Sequence, residues 1–203
     1  KKIIYICASV AFAFSCTEMT VEPETERLPV NPDAILFSAD IQAATKATDI
    51  AFENGDEISV FATTAKVPEE TNYAQNVKYT YYDALFSTSE ELVYPDEYTT
   101  LSFYAVYPYG SYTTPSFDFA VNKDQSTNET YTGSDLMTAS QVAKNEDVVD
   151  LRFSHRMTKV VINLNARNLP AGDQSVLFND VLYMAEANLA DNTFKAIGRT
   201  TDI

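Results

Sequence analysis

An all-β domain, a β-sandwich, is the fold class that the sequence predicts, and three observations predict it. Apolar and polar residues alternate with period two through most of the chain from Ile35 onward. Turn-forming clusters such as Asn54-Gly55-Asp56, Pro108-Tyr109-Gly110 and Asp191-Asn192 interrupt the alternating runs. No window of helical length carries a sustained apolar stripe, and only Tyr73–Leu85 and Ser134–Lys144 could hold short helices. Strand-and-turn spacing of this kind implies a sandwich.

The chain opens on a segment that lies outside this fold. Lys1 and Lys2 precede an apolar run from Ile3 to Phe14, which ends at Ser15-Cys16 before the sequence turns acidic. Such a run is a secretory signal, too short to span a bilayer, which takes about 20 residues. Residues 1–15 are read as the signal peptide. Ala13-Phe14-Ser15-Cys16 resembles a bacterial lipobox, with Ala13 where Leu is usual and Phe14 bulkier than the common residue. Cys16 would then be acylated as the mature N-terminus. Cys7 leaves with the signal, so the exported chain keeps one cysteine and forms no internal disulfide.

Residues 16–33, rich in proline and glutamate, read as a tether or propeptide. Arg27 is the sole basic residue in it, which makes Arg27-Leu28 the candidate site of trypsin-like maturation. Residues 34–203 form the folded domain. In its first clear strand Ile58, Val60 and Ala62 share one face and Glu57, Ser59 and Phe61 the other. Leu101–Tyr107 is apolar on both faces, as a central strand is. Phe117, Phe119 and Val121 alternate with Ser116, Asp118 and Ala120.

The strongest pattern covers Asp150–Asn165. Leu151, Phe153, His155 and Met157 take odd positions, whereas Val160, Ile162 and Leu164 take even ones, so the spacing predicts a bulge or bend near Thr158-Lys159. Val181, Tyr183, Ala185, Ala187 and Leu189 then run into the Asp191-Asn192 hairpin turn, with Phe194 and Ile197 returning.

Composition narrows the function. The chain has 203 residues, 45% of them hydrophobic, enough apolar material for a packed core in one domain. Its net charge of −15 repels phosphate backbones and anionic lipid, so no nucleic-acid partner is expected and membrane contact must be covalent or hydrophobic. One His and two Cys supply no structural zinc set and no haem motif. No cofactor is expected.

Acid pairs at Glu69-Glu70, Glu90-Glu91 and Glu146-Asp147 fall in loop-like stretches, where solvated charge is the default over a glycosidase pair. Asp124, Asn128 and Glu129 lack regular calcium-ligand spacing. His155, alternating with core residues, reads as a structural core histidine. The tyrosine runs Tyr79-Tyr81-Tyr82 and Tyr104-Tyr107-Tyr109-Tyr112 offer either core filling or stacking platforms for sugars and protein partners.

Several segments, in order, resemble the fimbrillin-like proteins of Bacteroidales, subunits of the type V pilus and its relatives. Phe52-Glu53-Asn54-Gly55-Asp56-Glu57-Ile58-Ser59-Val60-Phe61 is similar to that family's first strand motif. Asn76-Val77-Lys78-Tyr79, Tyr94-Pro95 and Leu101–Tyr109 resemble its "N-x-x-Y, then F-x-A-Y-Y-P-Y" region. Asp135-Leu136-Met137 and Leu151–Val160 resemble its "D-L-L" and "L-x-F-x-H-x-x-x-K-V" segments.

The resemblance implies a Greek-key, transthyretin-like N-terminal sandwich followed by a second sandwich, missing from this chain. It also implies export as an outer-membrane lipoprotein, release of stalk subunits by Arg-specific proteolysis, and assembly with other fimbrial subunits through strand exchange on the cell surface. Arg27 is the position that matches the cleavage, although Cys16 to Arg27 is short for such a propeptide. The function expected is a structural or adhesive fimbrial subunit without enzymatic activity. The alternative is a surface lipoprotein that captures glycans for uptake through aromatic platforms, and the partner beyond the fimbria would be a host or glycan ligand. The first reading predicts an apolar groove beside the first strand, the second several tyrosines on one exposed face.

Overall fold

A computed structural model describes residues 29–42, 51–64, 73–163, 172, 177–189 and 191–201. Cys16, Arg27, Leu28 and the Glu69-Glu70 pair lie outside the described residues. The described chain is all-β apart from one short helix.

Strand β1, Leu36–Gln42, buries Phe37 and sets Ala39 and Ile41 on the same face, against the main core. Before it, Asn31 forms an Asx turn, its side chain accepting from the Asp33 N–H at 3.0 Å, and its own N–H donates to the Thr88 carbonyl at 2.8 Å. At Glu53–Asp56 a tight turn closes through the Asp56 N–H to the Glu53 carbonyl (3.0 Å) and the Glu53 N–H to the Asp56 carboxylate (2.8 Å). Gly55 sits there at φ +99°, a conformation that side chains disfavour.

The turn feeds β2, Glu57–Thr63, which lies between β3, Ala74–Tyr82, and β5, Leu101–Tyr107, antiparallel to both. β3 and β4, Leu85–Ser87, form a two-residue hairpin whose loop residues Asp83 and Ala84 take φ of 51° and 72°, as a type I′ turn needs. After β6, Ser116–Ala120, comes α1, Asn128–Thr132, with Thr127 as N-cap accepting from the Thr130 N–H. β7, Met137–Ala143, pairs with β5, and β8, Val148–His155, follows. β9, Val181–Asn188, and β10, Thr193–Thr201, form the expected hairpin.

The strands assemble into a seven-stranded sheet in the order β1-β4-β3-β2-β5-β7-β8, closed into a barrel because β1 pairs in parallel with β8. A separate sheet of β10-β9-β6 covers the outside. The expectation of a sandwich is met only as far as the all-β class. What closes the barrel is β1, whose two edges find β8 and β4, a long-range pairing that alternation cannot reveal.

Two cores result. Ile58, Val60, Leu101, Phe103, Val149, Leu151 and Phe153 fill the barrel. Phe61, Tyr104, Val106, Phe119, Leu136 and Ala187 pack between barrel and outer sheet. β2 and β5 are therefore buried on both faces, which is why Leu101–Tyr107 carries no polar stripe.

Two local expectations are corrected. The segments expected to allow helices, Tyr73–Leu85 and Ser134–Lys144, hold β3, β4 and β7. Val77 and Tyr79 point inward against Asn76, Lys78 and Thr80, and this aromatic and β-branched alternation outweighs a weak helical spacing. The strand expected over Asp150–Asn165 stops at His155; the chain bends at Met157, next to the expected position, but no bulged strand continues through Thr158-Lys159. Val160, Val161 and Ile162 are exposed, so their apolar parity packs against no described core; Leu164 and Asn165 lie outside the described residues.

Tyr79 shows how the barrel tolerates a buried hydroxyl. Its ring is fully buried and its Oη donates to the Ile35 carbonyl at 2.9 Å, while burial first and the nearby Glu90 second push its pKa well above the ordinary tyrosine value. Tyr79→Phe leaves that carbonyl unpaired and is expected to cost about 1–3 kcal/mol in thermal unfolding. An unchanged melting curve would show that the bond contributes nothing net.

Candidate functional site

The candidate site is the place where β1 is held. β1 joins β8 through seven parallel register pairs, Leu36 to Gln42 against Val148 to Ser154, but joins β4 through one pair, Phe37 with Phe86. On the other side of β8 the ladder to β7 is also short, two pairs at Met137–His155 and Thr138–Ser154. β1 and β8 thus form a two-stranded ribbon fixed to the five-stranded sheet by two short seams.

Aromatic side chains join this ribbon to the five-stranded sheet beside those short ladders. Phe37 meets Tyr79 edge-on at 4.9 Å and Phe103 at 5.2 Å between ring centroids. On the outer face Ser38 bonds Asp150, and Ser154 donates to Gln42 at 3.2 Å. No open apolar groove lies beside β1 among the described residues, because β1 itself fills that place with Phe37, Ala39 and Ile41. A cavity of about 370 Å³ lies instead over β5, β7 and the β9–β10 turn, lined by Tyr104, Val142 and Leu189 among others.

His155 sits at the end of β8, half-buried rather than sealed in the barrel. Its Nδ1 lies 2.9 Å from the Asp135 carboxylate. Parity groups it with Leu151 and Phe153, which fill the barrel, but Met157 packs on the outer core. Asp135 is a partner that sequence reasoning missed, since twenty residues separate the two and α1 and β7 bring them together. His155→Asn removes the paired ring and is expected to cost about 1–3 kcal/mol. Loss of a binding activity at an unchanged melting temperature would count against the structural role.

The two tyrosine runs do not build an exposed platform. Tyr79 and Tyr104 are buried, Tyr81 packs on Phe52 and Phe86, and Tyr107 donates to Asp56 at 3.3 Å. Tyr112 stacks on Phe117 and donates to the Pro108 carbonyl, with burial pushing its pKa up to about 12. Tyr109 alone of the seven is exposed, at 38%, with the Lys78 ammonium 5.3 Å from its ring centre. Glu90 accepts from the Lys78 backbone N–H, and Asp124 caps its own turn by accepting from the Ser126 N–H. Among the described residues no cluster of His, Cys, Asp or Glu could hold a metal ion, and Asp124, Asn128 and Glu129 do not converge into one. No described helix is long and apolar enough to cross a membrane.

Residues 45–203 match the model of a protein family described as fimbrillin-like. No curated protein matches the sequence. Among solved structures, a candidate cell adhesion protein from Bacteroides ovatus superposes with a TM-score of 0.65 at 15% identity, over 87% of this chain and 72% of that one. Another from Bacteroides uniformis gives a TM-score of 0.58 at 21% identity, over 83% of this chain and 68% of that one. At these identities the two structures establish a shared fold.

Proposed function

Because the chain belongs to the fimbrillin-like family, we propose that it is a structural or adhesive subunit of a cell-surface fimbria, exported as an outer-membrane lipoprotein and assembled by strand exchange. In this reading Cys16 carries the lipid, the Arg27-Leu28 bond is the point of release, and the barrel is a Greek-key, transthyretin-like sandwich closed at two short seams. Other fimbrial subunits are its partners, and its output is assembly rather than catalysis.

The observation that supports strand exchange is the attachment of β1, one register pair to β4 on one edge and a side-chain row of Phe37, Ala39 and Ile41 on its inner face. A strand with the same alternation from a neighbouring subunit could satisfy the β8 edge and fill the same place. Arg27 precedes β1 by nine positions, so cleavage there detaches the barrel from its lipid while leaving β1 in the chain. Exchange then proceeds by displacement of β1 rather than by its excision.

Digestion with an Arg-specific protease tests the scheme. Cutting first at Arg27, with the barrel intact, is expected, because Arg27 lies in a proline-rich acidic tether, whereas Arg152 and Arg199 lie within strands and Arg156 is held by Thr138 and Asn192. The cut protein should form ladders of oligomers and Arg27→Ala should not; ladders that persist in Arg27→Ala would sink release at Arg27. Cys16→Ala should move the protein from the detergent phase to the aqueous phase, and unchanged partitioning would overturn the lipid anchor.

A further inference from the structure

The outer face of β7 and β8 carries a feature that assembly does not use. Beyond the two-pair ladder at Thr138–Ser154 the strands leave a cleft of about 230 Å³, bordered by Arg152, Arg156, Gln42, Ser140, Ser154 and Asn192. In a chain with 29 acidic and 14 basic residues, this cleft is lined by two arginines and no carboxylate. Asp40, the register neighbour of Arg152 on β1, makes no ion pair with it among the described residues.

Arg156 is held in place by neutral groups. Its Nε donates to Thr138 Oγ1 at 2.8 Å, its Nη2 donates to Asn192 Oδ1 at 2.7 Å, and its guanidinium lies 4.3 Å from the Phe194 ring centre. These contacts fix the fork without neutralising it and leave its other N–H donors for a ligand. A fixed, partly buried guanidinium with no counter-charge is pre-organised for a carboxylate. The surrounding hydroxyl and amide side chains suit a ligand with several hydroxyl groups. A second cavity, sharing Ser140, Leu189 and Asn192, continues the cleft along β5 and leaves room for a neighbouring unit.

We propose that this cleft binds an acidic sugar, a uronate-type residue whose carboxylate pairs with Arg152 and Arg156 and whose hydroxyls meet Ser140, Ser154 and Asn192, none of which belongs to β1. The site deepens the adhesive part of the proposed function and rests on the surface location assigned there, not on strand exchange. Loss of oligomer ladders and loss of sugar binding are separate failures.

Titration of the purified full chain with D-glucuronate, followed by NMR shifts, tests the site, with D-glucose, acetate and a tetraglutamate peptide as comparisons. Glucuronate is expected to bind at least about tenfold more tightly than any of the three, and more weakly as salt rises. Arg152→Gln, at an exposed position, should weaken glucuronate about tenfold at an unchanged melting temperature. Arg156→Gln should do the same, and because it also loses the Phe194 contact, Arg152→Gln decides if that variant fails to fold. No binding, equal binding of glucose, or full binding by Arg152→Gln overturns the proposal. Acetate or tetraglutamate binding as tightly as glucuronate also overturns it, in favour of a general carboxylate site.

Discussion

Phe52→Ala is expected to lower folding stability by about 3–5 kcal/mol, the range for deleting a buried aromatic side chain. The residue belongs to no strand, yet its ring meets four of them. Phe86 of β4, Tyr107 of β5 and Phe153 of β8 lie at centroid distances of 5.0, 5.6 and 5.1 Å, and Tyr81 of β3 lies at 5.8 Å. Removing it leaves a cavity between β3, β4, β5 and β8, and rings from four strands cannot all close inward to fill it. Against a typical total of about 5–15 kcal/mol this is a large share. Denaturant unfolding measures it, and a loss under about 1 kcal/mol would show that the end of the barrel repacks.

Phe37→Ala is expected to cost a similar 3–5 kcal/mol but to act on one strand first. Phe37 is fully buried and provides the sole β1–β4 register pair. Without its ring, β1 keeps the ladder to β8 and loses its main side-chain contact with Tyr79 and Phe103. Amide hydrogen exchange should then show the amides of β1 opening well before those of β2 and β5, which are enclosed on both sides. Equal loss of protection in all strands would mean that β1 is not separately releasable, and strand exchange by displacement would fail with it.

The chain's own pattern made some elements legible and concealed others. β2, β5, β6 and the β9–β10 hairpin follow from period-two alternation and from turn residues whose chemistry is local, as at Gly55 and Asn192. β3 and β7 were concealed because a weak helical spacing overlies their strand alternation, with alanine and methionine in β7 suiting a helix as well, and pairing with β2 and β5 reinforces the strand choice. The end of β8 was concealed for the opposite reason. Val160 and Ile162 continue an apolar rhythm that no described core receives.

The candidate sites divide along the same line. Cys16 and Arg27 can be proposed from sequence alone, since a lipobox-like boundary and a lone basic residue in an acidic tether are local features. The contact between His155 and Asp135, the two-pair seam at Met137–His155 and the cleft holding Arg152 and Arg156 required the fold.

By itself the sequence determined the all-β class, the turns at Asn54-Gly55-Asp56, Pro108-Tyr109-Gly110 and Asp191-Asn192, the two-sided burial of Leu101–Tyr107 and the family resemblance, all of which rest on residues close together in the chain. Only the tertiary structure decided that the sheet closes, that β1 runs parallel to a strand more than a hundred positions away, and that two arginines face a cleft without a carboxylate. The physical reason is that alternation fixes which face of a strand is buried, whereas the choice of neighbour depends on backbone pairing and side-chain fit over long chain separations, which local pattern does not encode.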